Sequence, residues 1–172
     1  LFCAAVLGGL ITAWRSDDMA TKKILVPYNF TNYDQKALDF VAGTFRDAKD
    51  IQITLFHAYT PLPEIETDSN AVLGRLKDTM KSLRQKLRDQ ESLLKEVIQT
   101  LLLKGIADNQ LDYIFEPKHK DVSEEIAETA TGGNYEIIVL SRKAGKMTRL
   151  FSRSVSGKLL SSTKGMTVCV VS

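Results

Sequence analysis

Apolar positions along the chain follow two alternating rhythms. "KKILVPYNF" holds the run Ile24-Leu25-Val26 and stops at Pro27, the mark of a short buried strand. From Asp34 to Phe45 the apolar residues Ala37, Leu38, Val41 and Phe45 return at helical spacing, with Asn32 placed as the cap. "IQITLFHAY" (51–59) predicts a second strand and "LDYIFEP" (111–117) an alternating third that ends at proline. "YEIIVLS" (135–141) gives the fourth and "MTVCVVS" (166–172) the fifth. A short amphipathic helix over 122–130, closed by Gly132-Gly133, and another over 154–162 fill the intervals. Strands that are continuous apolar runs, separated by helices, imply a parallel sheet covered on both faces. Right-handed crossovers make this α/β fold doubly wound, and five strands give the order 3-2-1-4-5. A ligand crevice is then expected where the winding reverses, at the carboxyl ends of the first and fourth strands. There "PYNFT" faces "SRKAG".

One segment keeps a single rhythm for much longer. Over 71–104, Leu73, Leu76, Met80, Leu83, Leu87, Leu94, Val97 and Leu101 step by three and four, with Gln90 interrupting. A helix of this extent is about 50 Å long at 1.5 Å per residue, against a sheet only about 20 Å deep. Part of it must overhang or bend, near Gly74 or around Asp89-Gln90. The stripe reads as the core-facing side of a crossover helix. Packing of its amino-terminal half on a partner protein is the alternative. Asp78, Asp89, Glu91 and Glu96 break up the basic residues, so no nucleic-acid stripe is implied.

Composition narrows the class without deciding the function. The 172 residues are 44% hydrophobic and 26% charged with a formal net charge of +2, values of a soluble domain of ordinary size. Cys3 and Cys169 form no disulfide framework, and with only His57 and His119 a metal site would need carboxylates to complete it. Residues 1–18 stand apart. "LFCAAVLGGLITAW" is uncharged, yet shorter than the about 20 residues a bilayer requires, and it lacks a basic start. Met19 is read as the start of the folded domain, 19–172, with 1–18 a leader or upstream segment. The end of a truncated membrane segment is the alternative.

Several residues invite a chemical role and are read more plainly. His57 ends the second strand, where burial beside a carbonyl is expected, and no nucleophile elbow accompanies it. Cys169 alternates within the fifth strand and is expected to pack at the core or a dimer seam. "YTPLPEIETDSN" (59–70) is expected to be a loop, with a flap over the crevice as the alternative. A fifth strand bearing Val168, Val170 and Val171 on a sheet edge needs covering, and pairing with its copy would supply two-fold symmetry.

The ordered motifs "KKILVPYNFT…ALDFVA", "ITLFHAY", "DVSEEIAETA…YEIIVLS" and "RSVSGKLL…MTVCVVS" resemble the universal stress protein family from about Lys22 to Ser172. The resemblance implies a single Rossmann-like domain of the adenine-nucleotide alpha-hydrolase-like kind. It also implies a homodimer joined through Met166–Ser172, and the two cysteines suit a reducing, cytoplasmic setting. One branch of that family binds ATP, with an acid after the first strand and a Gly-x2-Gly-x9-Gly-(Ser/Thr) loop after the fourth; another branch does not. Here Asn29 stands at the acid's position, Ser141, Ala144 and Arg153 replace the three glycines, and only Ser154 is kept. The spacing from Ala144 to Arg153 is one residue short, and Ala58 aligns with the residue whose backbone meets the base. A phosphate nest needs backbone N–H groups turned inward without a Cβ in the way. Losing several charged hydrogen bonds of about 1.5–3 kcal/mol each lowers affinity a thousandfold or more.

The expectation is therefore a non-catalytic stress protein acting by interaction, with no cofactor and no strong ATP binding. The alternative is an ATP site rebuilt on cations. Arg142, Lys143, Lys146, Arg149 and Arg153 run without an acid, and Lys118, His119 and Lys120 leave the third strand on the same edge. These are read first as solvated loop charges and second as a crevice selecting a polyanion.

Overall fold

The computed structural model describes residues 21–63, 70–142, 158–159 and 165–172. Its elements are β1 (Lys22–Pro27), α1 (Asp34–Phe45), β2 (Ile51–Tyr59), α2 (Asn70–Leu103), β3 (Leu111–Pro117), α3 (Val122–Gly132), β4 (Ile137–Ser141) and β5 (Thr167–Val171). A 3-10 turn at Asp108–Gln110 leads into β3. The five strands form one sheet in the order β3-β2-β1-β4-β5, and every neighbouring pair is parallel. This is the doubly wound arrangement expected from the alternation.

Successive strand residues point to opposite faces, and both faces are covered. Ile24, Val26, Ile53, Leu55 and Val139 pack with Leu38 and Val41 of α1 and Leu94 and Leu101 of α2. Leu25, Phe56, Ile138 and Leu140 pack on the other side with Ile126 and Ala130 of α3 and with Leu159. Of the helix expected over 154–162, Lys158 and Leu159 are described and are helical. Residues 1–18 lie outside the described residues.

Two local expectations are corrected and a third is refined. Asn32 is not the cap of α1: the cap position is Tyr33, which makes no side-chain capping bond. The chain already turns at Thr31, whose carbonyl accepts the Asp34 N–H at 3.0 Å. β4 begins at Ile137 rather than at residue 135 because the Tyr135 N–H is taken by the Ala130 carbonyl. α3 does end at the glycine pair, but the left-handed residue is Asn134, with φ 55°. Gly133 serves the close approach instead, since a Cβ there would lie 2.3 Å from the Tyr135 ring.

Helix α2 runs unbroken over 34 residues, and its stripe is covered unevenly. Leu94 and Leu101 are fully buried, whereas Met80, Leu83, Leu87 and Gln90 are only half-buried. Thr60–Pro63, the described start of the 59–70 loop, borders a groove of about 520 Å³ with this half-covered stretch.

Candidate functional site

The crevice lies where the winding reverses. A cavity of about 240 Å³ opens there, with Pro27, Tyr28, Asn29 and Thr31 on one side and Leu140 and Ser141 on the other. Phe56, His57 and Ala58 of β2 and Val122 and Ile126 of α3 also line it.

Asp34, the first residue of α1 and only 4% exposed, also lines the cavity. Its Oδ2 accepts the N–H groups of Asn29 (3.0 Å) and Thr31 (2.8 Å) and the Thr31 hydroxyl (2.9 Å). Its Oδ1 accepts the Ser141 hydroxyl at 2.5 Å, across 107 residues of chain. One carboxylate therefore ties the β1–α1 turn to the end of β4. A negative group in the first turn also sits at the favourable pole of the helix.

Aromatic rings continue the same edge. Phe30 takes a left-handed backbone, φ 56°, which is uncommon for a residue with a Cβ. Its ring meets Tyr28 and His57 edge-on at 5.2 and 4.8 Å. His57 stacks on Phe115 at 5.6 Å, and Phe115 stacks on Tyr59 at 4.7 Å. The Tyr28 carbonyl lies 2.8 Å from His57 Nδ1. A carbonyl can only accept, so Nδ1 carries the proton. Burial pushes the imidazole pKa below its ordinary value, outweighing the opposing pulls of that carbonyl and of Asp34. Burial, with the Asp34 charge added, pushes the Tyr28 phenol up.

At the end of β3 the loop is held by an acid. Glu125 of α3, 8% exposed, accepts the N–H groups of His119 and Lys120 at 2.6 and 2.7 Å. The His119 bond leads in holding its pKa below the usual carboxylate range. Lys120 Nζ is paired with Glu128 at 2.5 Å and Lys158 with Asp121. These two cations are thus held by acids of α3 and of the turn before it.

The expected site residues separate clearly. Asn29, Ala58 and Ser141 all line the cavity. Asn29 is exposed and contributes its N–H to Asp34, while Ser141 gives its hydroxyl to the same carboxylate. Arg142 is half-buried, and its N–H donates to the Val171 carbonyl at 2.8 Å. Ala144, Arg153 and Ser154 lie outside the described residues. Sequence reasoning missed Asp34. The signal was Thr31-x-x-Asp34 ahead of an apolar run, the pattern of a capping box.

Among the described residues no group of three His, Cys, Asp or Glu could hold a metal ion. None of the described helices is long and apolar enough to cross a membrane.

A sequence model of the universal stress protein family matches residues 20–171. No curated protein matches the chain. Among solved structures, a universal stress family protein from Burkholderia pseudomallei is similar with a TM-score of 0.59 at 16% identity. The match covers 89% of this chain and 97% of that one. The universal stress protein from Archaeoglobus fulgidus in complex with dAMP gives 0.54 at 14%, covering 90% and 100%. One from Arabidopsis thaliana with AMP bound gives 0.56 at 13%, covering 87% and 90%. At such identities the likeness is one of fold. The sequence match, however, takes in every strand and helix from β1 to β5, and the chain belongs to the universal stress protein family.

Proposed function

We propose that this protein is a cytoplasmic, homodimeric universal stress protein that acts by contact with other proteins, without catalysis and without strong ATP binding. The observation that carries this reading is Asp34. Its buried carboxylate lines the crevice and engages Ser141, the last residue of β4. A phosphate charge brought within about 5 Å meets a repulsion of about 3 kcal/mol at an effective dielectric near 20. The absence of catalysis is supported by the commitment of the reactive groups: Ser141 bonds Asp34, and His57 bonds a backbone carbonyl. The folded unit is taken as 19–172, with 1–18 outside it.

Dimerisation is supported by β5, at one end of the strand order with Val170 39% exposed. Such an edge invites pairing with its two-fold copy. Sedimentation as a monomer at micromolar concentration would remove the dimer from this account. The half-covered leucines of α2 offer a surface for a different protein.

A second reading keeps nucleotide binding, with Arg142 and the basic residues that follow compensating for the lost glycines. It is favoured by the similarity to structures holding dAMP and AMP. Calorimetric titration with ATP decides between the two. The first reading expects no saturable binding tighter than about 100 µM, which is roughly 5.5 kcal/mol. A tighter constant establishes the second.

A further inference from the structure

We propose that the middle of α2 docks an acidic amphipathic helix of another protein, through a row of four cations beside its half-covered leucines. This rests on the reading of action by contact and names the chemistry of the partner. At about 3.6 residues per turn, Lys77, Lys81, Arg84 and Arg88 fall on one side of the helix, stepping by four, three and four. All four are exposed, and the row is about 16 Å long at about 1.5 Å per residue. The acids that interrupt these residues in the sequence do not interrupt the row. Asp78 and Asp89 lie roughly a quarter-turn or more round the helix. Among the described residues none of the four cations is paired with an acid, and Arg88 donates to Gln85 at 3.0 Å. Like charges three and four apart disfavour a helix on its own, and acids set opposite relieve that repulsion.

The row runs next to apolar surface. Each of Met80, Leu83 and Leu87 directly precedes one of the cations, and all three are half-buried. Leu87 and Arg88 share an open hollow of about 650 Å³ with Tyr59 of β2 and with Tyr113 and Phe115 of the edge strand β3. Its two acids are already engaged: Glu91 by Lys95 at 2.9 Å and by the Tyr113 hydroxyl, and Asp112 by the Tyr113 N–H. A polyanion such as RNA would use the cations and leave the leucines wet. A bilayer needs the apolar side of a helix turned outward. These leucines instead share a side of α2 with Leu94 and Leu101, and that side is packed on the sheet. A helix whose leucines are flanked by acids uses both surfaces, as in coiled coils, where the charges beside the seam set the choice of partner.

The probe is a designed helical peptide of about three heptads, with leucines at seam positions and glutamates flanking them. Two matched peptides replace every glutamate by lysine or every leucine by glutamine. Measured by fluorescence anisotropy with the full chain, the acidic leucine peptide is expected to bind saturably and both controls at least tenfold more weakly. In the double variant Lys81→Glu with Arg84→Glu, the preference should reverse toward the lysine peptide. Circular dichroism verifies that variant's fold. If it does not fold, Arg84→Ala alone is expected to weaken the acidic peptide at least threefold, and no weakening overturns the proposal. So do no saturable binding up to about 1 mM, a glutamine control that binds as tightly, or an unchanged preference in the folded double variant. Single-stranded RNA or phosphatidylserine vesicles binding more tightly than the acidic peptide would overturn it too, by assigning the row to another partner. Peptide failure with weak ATP binding sinks this inference alone, whereas tight ATP binding sinks the reading beneath it.

Discussion

At the carboxyl edge of the sheet the buried Asp34, His57 and Glu125 are all hydrogen-bonded, whereas Leu83 and Leu87 near the middle of α2 are only half covered. Among the described residues no buried side-chain nitrogen or oxygen lacks a partner. The contrast follows from how the two kinds of surface are penalised. A buried polar group without a partner costs about 1–3 kcal/mol at once, so its surroundings must be complete. Apolar surface loses only in proportion to the area left wet, about 25 cal/mol per Å². Leu83 and Leu87 can therefore line an open groove in a stable protein.

Substitutions can break or sharpen this contrast. The largest effect is expected on the covered half of the long helix. Leu101→Ala should cost about 3 kcal/mol by leaving a core void, read as a lower urea midpoint. Next, Asp34→Ala strands the donors of Asn29, Thr31 and Ser141 and should cost about 2 kcal/mol in the same assay. A cost as small as that of a surface residue would mean that water serves those donors equally well. Acidification is expected to do less. His57 has a folded pKa below the roughly 6.5 of the unfolded chain. As pH falls from about 6.5 toward the folded value, the unfolded chain takes up more protons. The contribution of this group is complete above about pH 6.5 and is lost below it. Urea unfolding at pH 7.5 and 5.5 should therefore show a larger acid loss for the natural sequence than for His57→Gln. Smallest of all, Leu87→Ala should cost under about 1 kcal/mol, because the side chain is already partly wet. A cost equal to that of Leu101→Ala would show that something covers this stretch in solution.

The sheet was legible in the sequence because its signals are local. The limits of 51–59 and 111–117 coincide with β2 and β3, as each run ends where turn residues begin. The crevice was legible too, since strand order alone fixes where the winding reverses. Asp34 was not recovered, because an acid in a first helical turn ordinarily faces water and serves the helix dipole. Its burial depends on Ser141, brought over by β4. The basic residues posed a similar problem. The acids that hold Lys120 and Lys158 are Glu128 and Asp121, 8 and 37 positions away along the chain. The heptad stripe gave α2 its length and not its cover: repetition marks one side as apolar along its whole extent, while the sheet reaches only some of its turns.

The bond from Ser141 to Asp34 also sets an order of events during synthesis. Its partners are separated by 107 residues, and β1 meets β4 only at Ile24 with Ile137 and Leu25 with Ile138. At an elongation rate of about 5–20 residues per second, the nascent Asp34 waits roughly 5–20 s for its serine. Until β4 is made, β1 has no partner on that side, although it lies at the centre of the finished sheet. Closure of the crevice marks the moment at which that exposed edge disappears.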